Sequence, residues 1–172
     1  MKQALINYVQ SEKTDELYTP SYAVQPLLKY LGINPLKVWC PCDKEESNIV
    51  RELKSQGHSV ICSHIEEGKD FLKYEPKEEY DIIITNPPYT IKDKIIERCY
   101  QLKKPFALLL PLTALEGINR GAMYRLGGVG LIVLDKRVEF LKGKTNWFNT
   151  SWFCHWKSLD GRIVFETLEK DK

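Results

Sequence analysis

Residues 80–90 read YDIIITNPPYT. Asp81 stands at the mouth of an apolar run, Ile82, Ile83, Ile84 and Thr85, with the composition of a strand buried on both faces. The chain then writes Asn86-Pro87-Pro88-Tyr89. Prolines donate no ladder hydrogen bond, fix their own φ and restrict the residue before them. A buried strand therefore runs straight into a stiff corner that carries one amide and one aromatic ring.

Working outward, the same alternation repeats. Val24, Leu27, Leu28 and Leu31 recur at spacings of three and four, which predicts a helix over 21–31, stopped by Gly32. Helices are also predicted over 45–56 and 91–102, with a short one over 115–124. Strands are predicted over 37–42, 58–65, 80–85, 105–112 and 130–140. Residues 66–79 read as a charged loop. Residues 151–157 and 162–168 read as a hairpin across Leu159-Asp160-Gly161. Strand alternating with helix predicts one α/β domain over 1–172: a doubly wound, mostly parallel sheet with an antiparallel C-terminal hairpin. Residues 1–17 form a polar N-terminal arm. Ligands in such sheets sit beyond the carboxyl ends of the strands, which is where Asn86-Pro87-Pro88-Tyr89 falls.

Composition narrows the class. Of 172 residues, 43% are apolar and 28% charged, and the formal net charge is only +2, so no overall basic excess announces nucleic acid. No apolar run approaches the ~20 residues needed to cross a bilayer, and the N-terminus has no signal-peptide core. A cytoplasmic protein without membrane contact is expected. Five cysteines in such a setting do not make a disulfide framework. Cys40, Cys42, Cys62 and His64 would converge if strands 37–42 and 58–65 are neighbours, which makes a zinc set geometrically conceivable. Their C-x-C and C-x-H spacing is weak evidence, and no metal site is assigned.

The corner suits one chemical task. An amino group conjugated to a ring is a poor nucleophile because its lone pair is delocalised. An Asn side-chain oxygen and a backbone carbonyl, held still by prolines, can accept both of its hydrogens and localise the lone pair. An aromatic ring beside them can stack on an extruded base. The work is positioning and preorganised electrostatics.

On these residues the chain resembles the S-adenosylmethionine-dependent amino-methyltransferases with an NPPY motif, above all small phage-type adenine-specific DNA methyltransferases. Asn86, Pro87, Pro88 and Tyr89 match their catalytic motif. DELYTP, residues 15–20, resembles the segment that contacts the methionine end of the cofactor, which implicates Tyr18, Thr19 and Pro20. GKDFL, residues 68–72, resembles the stretch that places an acid, here Asp70, near the cofactor's adenine. FALLLPLTALEG matches the following core strand, and DKRVEF with NWFNTSWFCHW resembles the late hairpin that lines the base pocket. The resemblance spans nearly the whole chain and implies methylation of the adenine amino group in nucleic acid, DNA rather than RNA.

The chain departs from that family in its first loop. VWCPCDKEES, residues 38–47, contains no glycine where the family has a glycine-rich cofactor loop. Pro41 fits, Cys40 stands in place of the acid, and Asp43, Glu45 and Ser47 are the polar groups at hand. The acid expected after the second strand is displaced to Glu66, beyond His64. Cofactor contacts are therefore expected from Tyr18, Thr19, Pro20, Cys40, Pro41, Asp43, His64, Glu66, Asp70 and Asn86. Cofactor affinity is expected to be micromolar or weaker.

No separate target-recognition domain fits, so specificity is short or supplied by a protein partner. Nucleic-acid contacts are expected from Arg120 and Arg125 in segment 116–128. They are also expected from Lys136, Arg137, Lys142 and Lys144, beside Trp147 and Phe148, because aromatics among cations suit extruded bases. Two other readings stand beside this one. One is a catalytically silent relative that binds nucleic acid or a host protein. The other is a methyltransferase acting on a protein glutamine amide.

Overall fold

A computed structural model describes residues 19–141 and 148–170. Seven strands form one sheet in the order β2-β1-β3-β4-β6-β5-β7. They are β1 (Lys37–Cys40), β2 (Ser59–Cys62), β3 (Ile82–Thr85), β4 (Phe106–Pro111), β5 (Gly130–Leu134), β6 (Thr150–His155) and β7 (Ile163–Glu166). The pairs β1–β2, β1–β3, β3–β4 and β5–β7 are parallel, and β6 runs antiparallel to both its neighbours.

Among the described residues four α-helices cover the two faces: α1 (Ser21–Leu28), α2 (Asn48–Ser55), α3 (Lys92–Leu102) and α4 (Ile118–Gly127). The period-two alternation of strand side chains divides the core. Val38, Cys40, Ile82, Ile84, Leu109 and Trp152 face α1 and α2, and Trp39, Ile83, Phe106, Leu108 and Phe153 face α3 and α4. The Trp152 indole donates to the Ala23 carbonyl at 2.9 Å and pins α1 to the sheet. Burying a branched side chain such as Ile83 contributes about 1.5–3 kcal/mol.

The doubly wound, mostly parallel sheet agrees with the sequence reading, and so does its antiparallel C-terminal part. The hairpin partner differs. β6 and β7 do not pair with each other; β5 lies between them, antiparallel to β6 and parallel to β7. The reason is burial. TSWFCH is apolar on both faces and takes a central position, whereas IVFE, with two exposed apolar residues, takes the edge. Elements also end earlier than expected: β1 stops at Cys40, β5 at Leu134, and α2 begins only after Ser47, which caps it through the Val50 N–H at 3.3 Å. Among the described residues no helix is long and apolar enough to cross a membrane.

Candidate active site

The carboxyl ends of β1, β2 and β3 open into a cleft of about 100 Å³. Pro41, Cys42, Asp43 and Lys44 line it from the loop after β1; His64, Asp70 and Phe71 line it from beyond β2; Asn86 and Pro88 line it from the corner after β3. Thr19 closes the near side, tied to the start of α2 by the Asn48 amide, which donates to its carbonyl at 3.0 Å. Ile91 and Ile95 add an apolar wall.

Asp43 is the chemical centre of the first loop. It is only 9% exposed, and its carboxylate accepts from the Thr85 hydroxyl at 2.7 Å. An antiparallel bridge to Ser63 fixes its backbone. Burial pushes its carboxyl up to about 6, against the opposing pull of hydrogen bonds from Thr85 and Ser47. Near neutral pH it is therefore a desolvated anion at the floor of an open cleft. Among the described residues it makes no ion pair; neighbouring Lys44 is engaged by Glu66 at 2.7 Å. The Thr19 hydroxyl is also buried in the cleft wall with no hydrogen-bond partner among the described residues. Both groups suit a ligand that brings a cation and a hydrogen-bonding group.

Asn86 follows Thr85 directly, so the hydroxyl that anchors Asp43 and the amide of the corner share one strand end. Pro87 is buried; Pro88 is extended at φ −56°, ψ 123° and leads into a 3-10 turn, Tyr89–Ile91, before α3. The half-buried Tyr89 ring meets Phe148 edge-on at 5.7 Å and Phe140 at 6.4 Å. The connection between β5 and β6 thus reaches the corner. Phe148, expected among the nucleic-acid contacts, is buried there.

Of the expected cofactor residues, Thr19, Pro41, Asp43, His64, Asp70 and Asn86 line the cleft. Cys40 does not: strand alternation turns it into the core at 0% exposed, and Cys42 occupies the cleft instead. Glu66 is an exposed rim residue paired with Lys44, and Pro20 stands outside the lining at the start of α1. Tyr18 lies outside the described residues. Ser47, Phe71 and Ile91 belong to the cleft and were missed. Ser47 had a sequence signal as a polar residue before a helix, and Phe71 as the neighbour of Asp70 in GKDFL. Burial, with the Asp43 charge beside it, pushes the Cys42 thiol up to about 12, so it is a neutral wall group. Among the described residues no group of Cys, His, Asp or Glu is placed to hold a metal, so the conceivable zinc set is not assembled.

Of the six basic residues expected to contact nucleic acid, Arg120, Arg125, Lys136 and Arg137 lie among the described residues. Arg120 is committed internally: it pairs with Asp93 and donates to the Ala114 carbonyl at 2.9 Å and to the Glu116 carbonyl. This corrects its expected role as a phosphate contact. Arg125 is exposed on α4. Lys136 donates to the Leu168 carbonyl at 3.1 Å, and Arg137 to the Asn149 side chain at 2.9 Å, beside Phe148. Lys142, Lys144 and Trp147 lie outside the described residues.

No protein-family model matches the sequence, and no curated protein matches it significantly. Solved structures do. A modification subunit of a putative type I restriction enzyme from Vibrio vulnificus is similar over 99% of this chain and 51% of its own, at 12% identity and a TM-score of 0.55. A putative class I S-adenosylmethionine-dependent methyltransferase from Listeria monocytogenes is similar over 92% of this chain and 68% of its own, at 9% identity and a TM-score of 0.53. The chain spans about half the length of that modification subunit. At these identities the likeness is one of architecture: the chain has the Rossmann-like fold of methyltransferases.

Proposed function

We propose that the protein is an S-adenosylmethionine-dependent methyltransferase acting on the adenine amino group of nucleic acid, DNA in preference to RNA. The observation that carries this is the placement of Asn86 in the wall of the same cleft as the buried, ionisable Asp43. One residue handles an amine and the other attracts a cation. The methyltransferase fold supports the reading.

S-adenosylmethionine, when bound, supplies an electrophilic methyl group and carries an ammonium. The chain's residues do the rest. Asp43 would hold the ammonium in the place where a glycine loop would offer backbone contacts, and the Thr19 hydroxyl would gain a partner. Asp70 and Phe71 line the same cleft. The Asn86 oxygen and a corner carbonyl accept the two hydrogens of the target amine and hold its lone pair towards the cleft. With the cofactor bound, that nitrogen would take the methyl group as the methyl–sulfur bond breaks, the sulfonium leaving as a neutral thioether, and would then lose one proton to water. The Tyr89 ring, braced by Phe140 and Phe148, supports the base.

DNA as substrate is supported by the corner's fit to a ring-conjugated amine. It also agrees with the likeness to a restriction-enzyme modification subunit, whose other half this chain does not span. The glycine-free loop favours a second reading, a silent relative that keeps the fold for binding alone. A labelled-methyl assay on DNA, RNA and bulk protein distinguishes these. Label in adenine of DNA supports the proposal, label in glutamine moves the substrate to protein, and no label in any fraction favours the silent relative.

A further inference from the structure

Among the described residues β7 is one of the two edges of the sheet, β2 being the other, and it is apolar where an edge is normally blunted. Ile163 is 61% and Phe165 77% exposed, on the face that carries α3 and α4. The inner side of β7 is used by β5: the Leu131 N–H donates to the Arg162 carbonyl, and the Asp135 N–H donates to the Glu166 carbonyl. Even-numbered residues of β7 therefore direct their backbone groups inward, and Ile163 and Phe165 direct theirs outward.

We infer that this edge pairs with the β7 edge of a second copy of the chain, antiparallel about a two-fold axis through Val164. The sequence of the edge, Arg162-Ile163-Val164-Phe165-Glu166, is complementary to itself in that register. Ile163 faces Phe165 of the second copy, and the outward groups of these two residues exchange both backbone hydrogen bonds, twice over. On one face, two β-branched–aromatic pairs form a continuous apolar strip. On the other face, Arg162 comes opposite Glu166 of the second copy. The Glu166 carboxylate already accepts from Lys29 and Tyr30, and Arg162 donates to the Ser158 carbonyl, so Arg162 arrives as a second cation beside an anchored anion. Moving the register by two residues either way keeps only one of the two hydrogen-bonded pairs and loses the charge match. The result is a continuous sheet with seven strands from each copy. β7 is four strands from β3, roughly 19 Å at ~4.8 Å per strand, so both clefts stay open.

Sedimentation equilibrium of the whole chain tests this. The unaltered chain is expected at the mass of two chains. Ile163→Glu alone and Phe165→Lys alone are expected as folded monomers by circular dichroism and sedimentation. Their equimolar mixture is expected to recover dimers, because Glu at 163 then faces Lys at 165. Should either variant fail to fold, cysteine cross-linking on the otherwise unaltered edge decides. Val164→Cys lies on the axis in a non-hydrogen-bonded pair, where Cα atoms are ~4.5 Å apart and a disulfide fits. It is expected to cross-link under mild oxidation, and Ile163→Cys is not. A chain that is monomeric at every concentration overturns the inference. So does a dimer indifferent to these substitutions, a mixture that stays monomeric, or a cross-link at 163 and none at 164.

Discussion

The loop after β1 and the loop after β3 leave adjacent parallel strands at the same end of the sheet, and they are held in different ways. The corner after β3 is fixed locally: two consecutive prolines set its path before any tertiary contact forms. The loop after β1 is fixed from a distance. Asp43 is anchored by Thr85, 42 residues away, and by a bridge to Ser63. The first loop offers a buried anion and the second a rigid pair of acceptors. A stiff corner is cheap to build and carries little strain on ionisation, whereas a desolvated carboxylate is a standing cost that only a bound cation relieves.

The largest effect is expected at the rigid corner. Asn86→Ala should leave the chain folded by circular dichroism and lower methyl transfer by ~10²–10³-fold, the usual loss for one preorganised contact to a reacting group. Unchanged turnover would remove Asn86 from the chemistry.

At the other loop the same kind of substitution should act on binding and on stability in opposite directions. Asp43→Asn is expected to weaken S-adenosylmethionine binding by ~10–100-fold, the scale of a lost charge-assisted hydrogen bond. It should also stabilise the ligand-free protein near neutral pH by up to roughly 3 kcal/mol, since about two pKa units of burial penalty disappear. The pH dependence follows. Because the folded pKa, about 6, lies above the ordinary value of 3.8, the folded state binds more protons between them. The Asp43 contribution to stability is therefore full below pH ~4 and is lost as pH rises through 6. Cofactor affinity should rise over the same interval. Denaturant melts from pH 4 to 8 on the protein and on Asp43→Asn check both slopes; parallel slopes contradict the assignment.

Smaller effects sharpen the corner's second role. Tyr89→Ala should weaken the hold on the extruded base by ~1–3 kcal/mol, and Tyr89→Phe should be nearly silent, because the ring face and not the hydroxyl is used. Equal damage from Phe and Ala in a nucleic-acid affinity assay would replace stacking with a hydrogen bond. The smallest pair separates structure from contact. Arg120→Ala should lower the melting temperature by a few degrees, for loss of its Asp93 and carbonyl bonds, with nucleic-acid affinity unchanged. Arg125→Ala should leave the melt alone and reduce the salt slope of binding by at most about one.

The same contrast explains what was legible in the sequence. The NPPY corner, the apolar β3 before it and the amphipathic helices were readable because dihedral limits and periodicity are local properties. Cys40 and Cys42 were exchanged because strand alternation was not carried through β1 to its end, where Trp39 and Cys40 already face opposite cores. The burial of Asp43 could not be read, since it depends on Thr85 and Ser63 arriving from other strands. Arg120 looked like a surface cation because its partners, the Asp93 carboxylate and two main-chain carbonyls, cannot be identified from composition. The pairing of β6 and β7 was misread from the turn between them, although the doubly apolar pattern of TSWFCH already marks a central strand.

The most direct test of the account is a calorimetric titration of the protein with S-adenosylmethionine, carried to millimolar concentration and paired with thermal melts. Binding is expected at one site with a dissociation constant in the micromolar range or weaker, and ligand at ~100 times that constant should add roughly 2.7 kcal/mol of stability. No heat and no stabilisation at millimolar cofactor would contradict the central claim, and would leave the Asn86–Tyr89 corner as a shape used for binding alone.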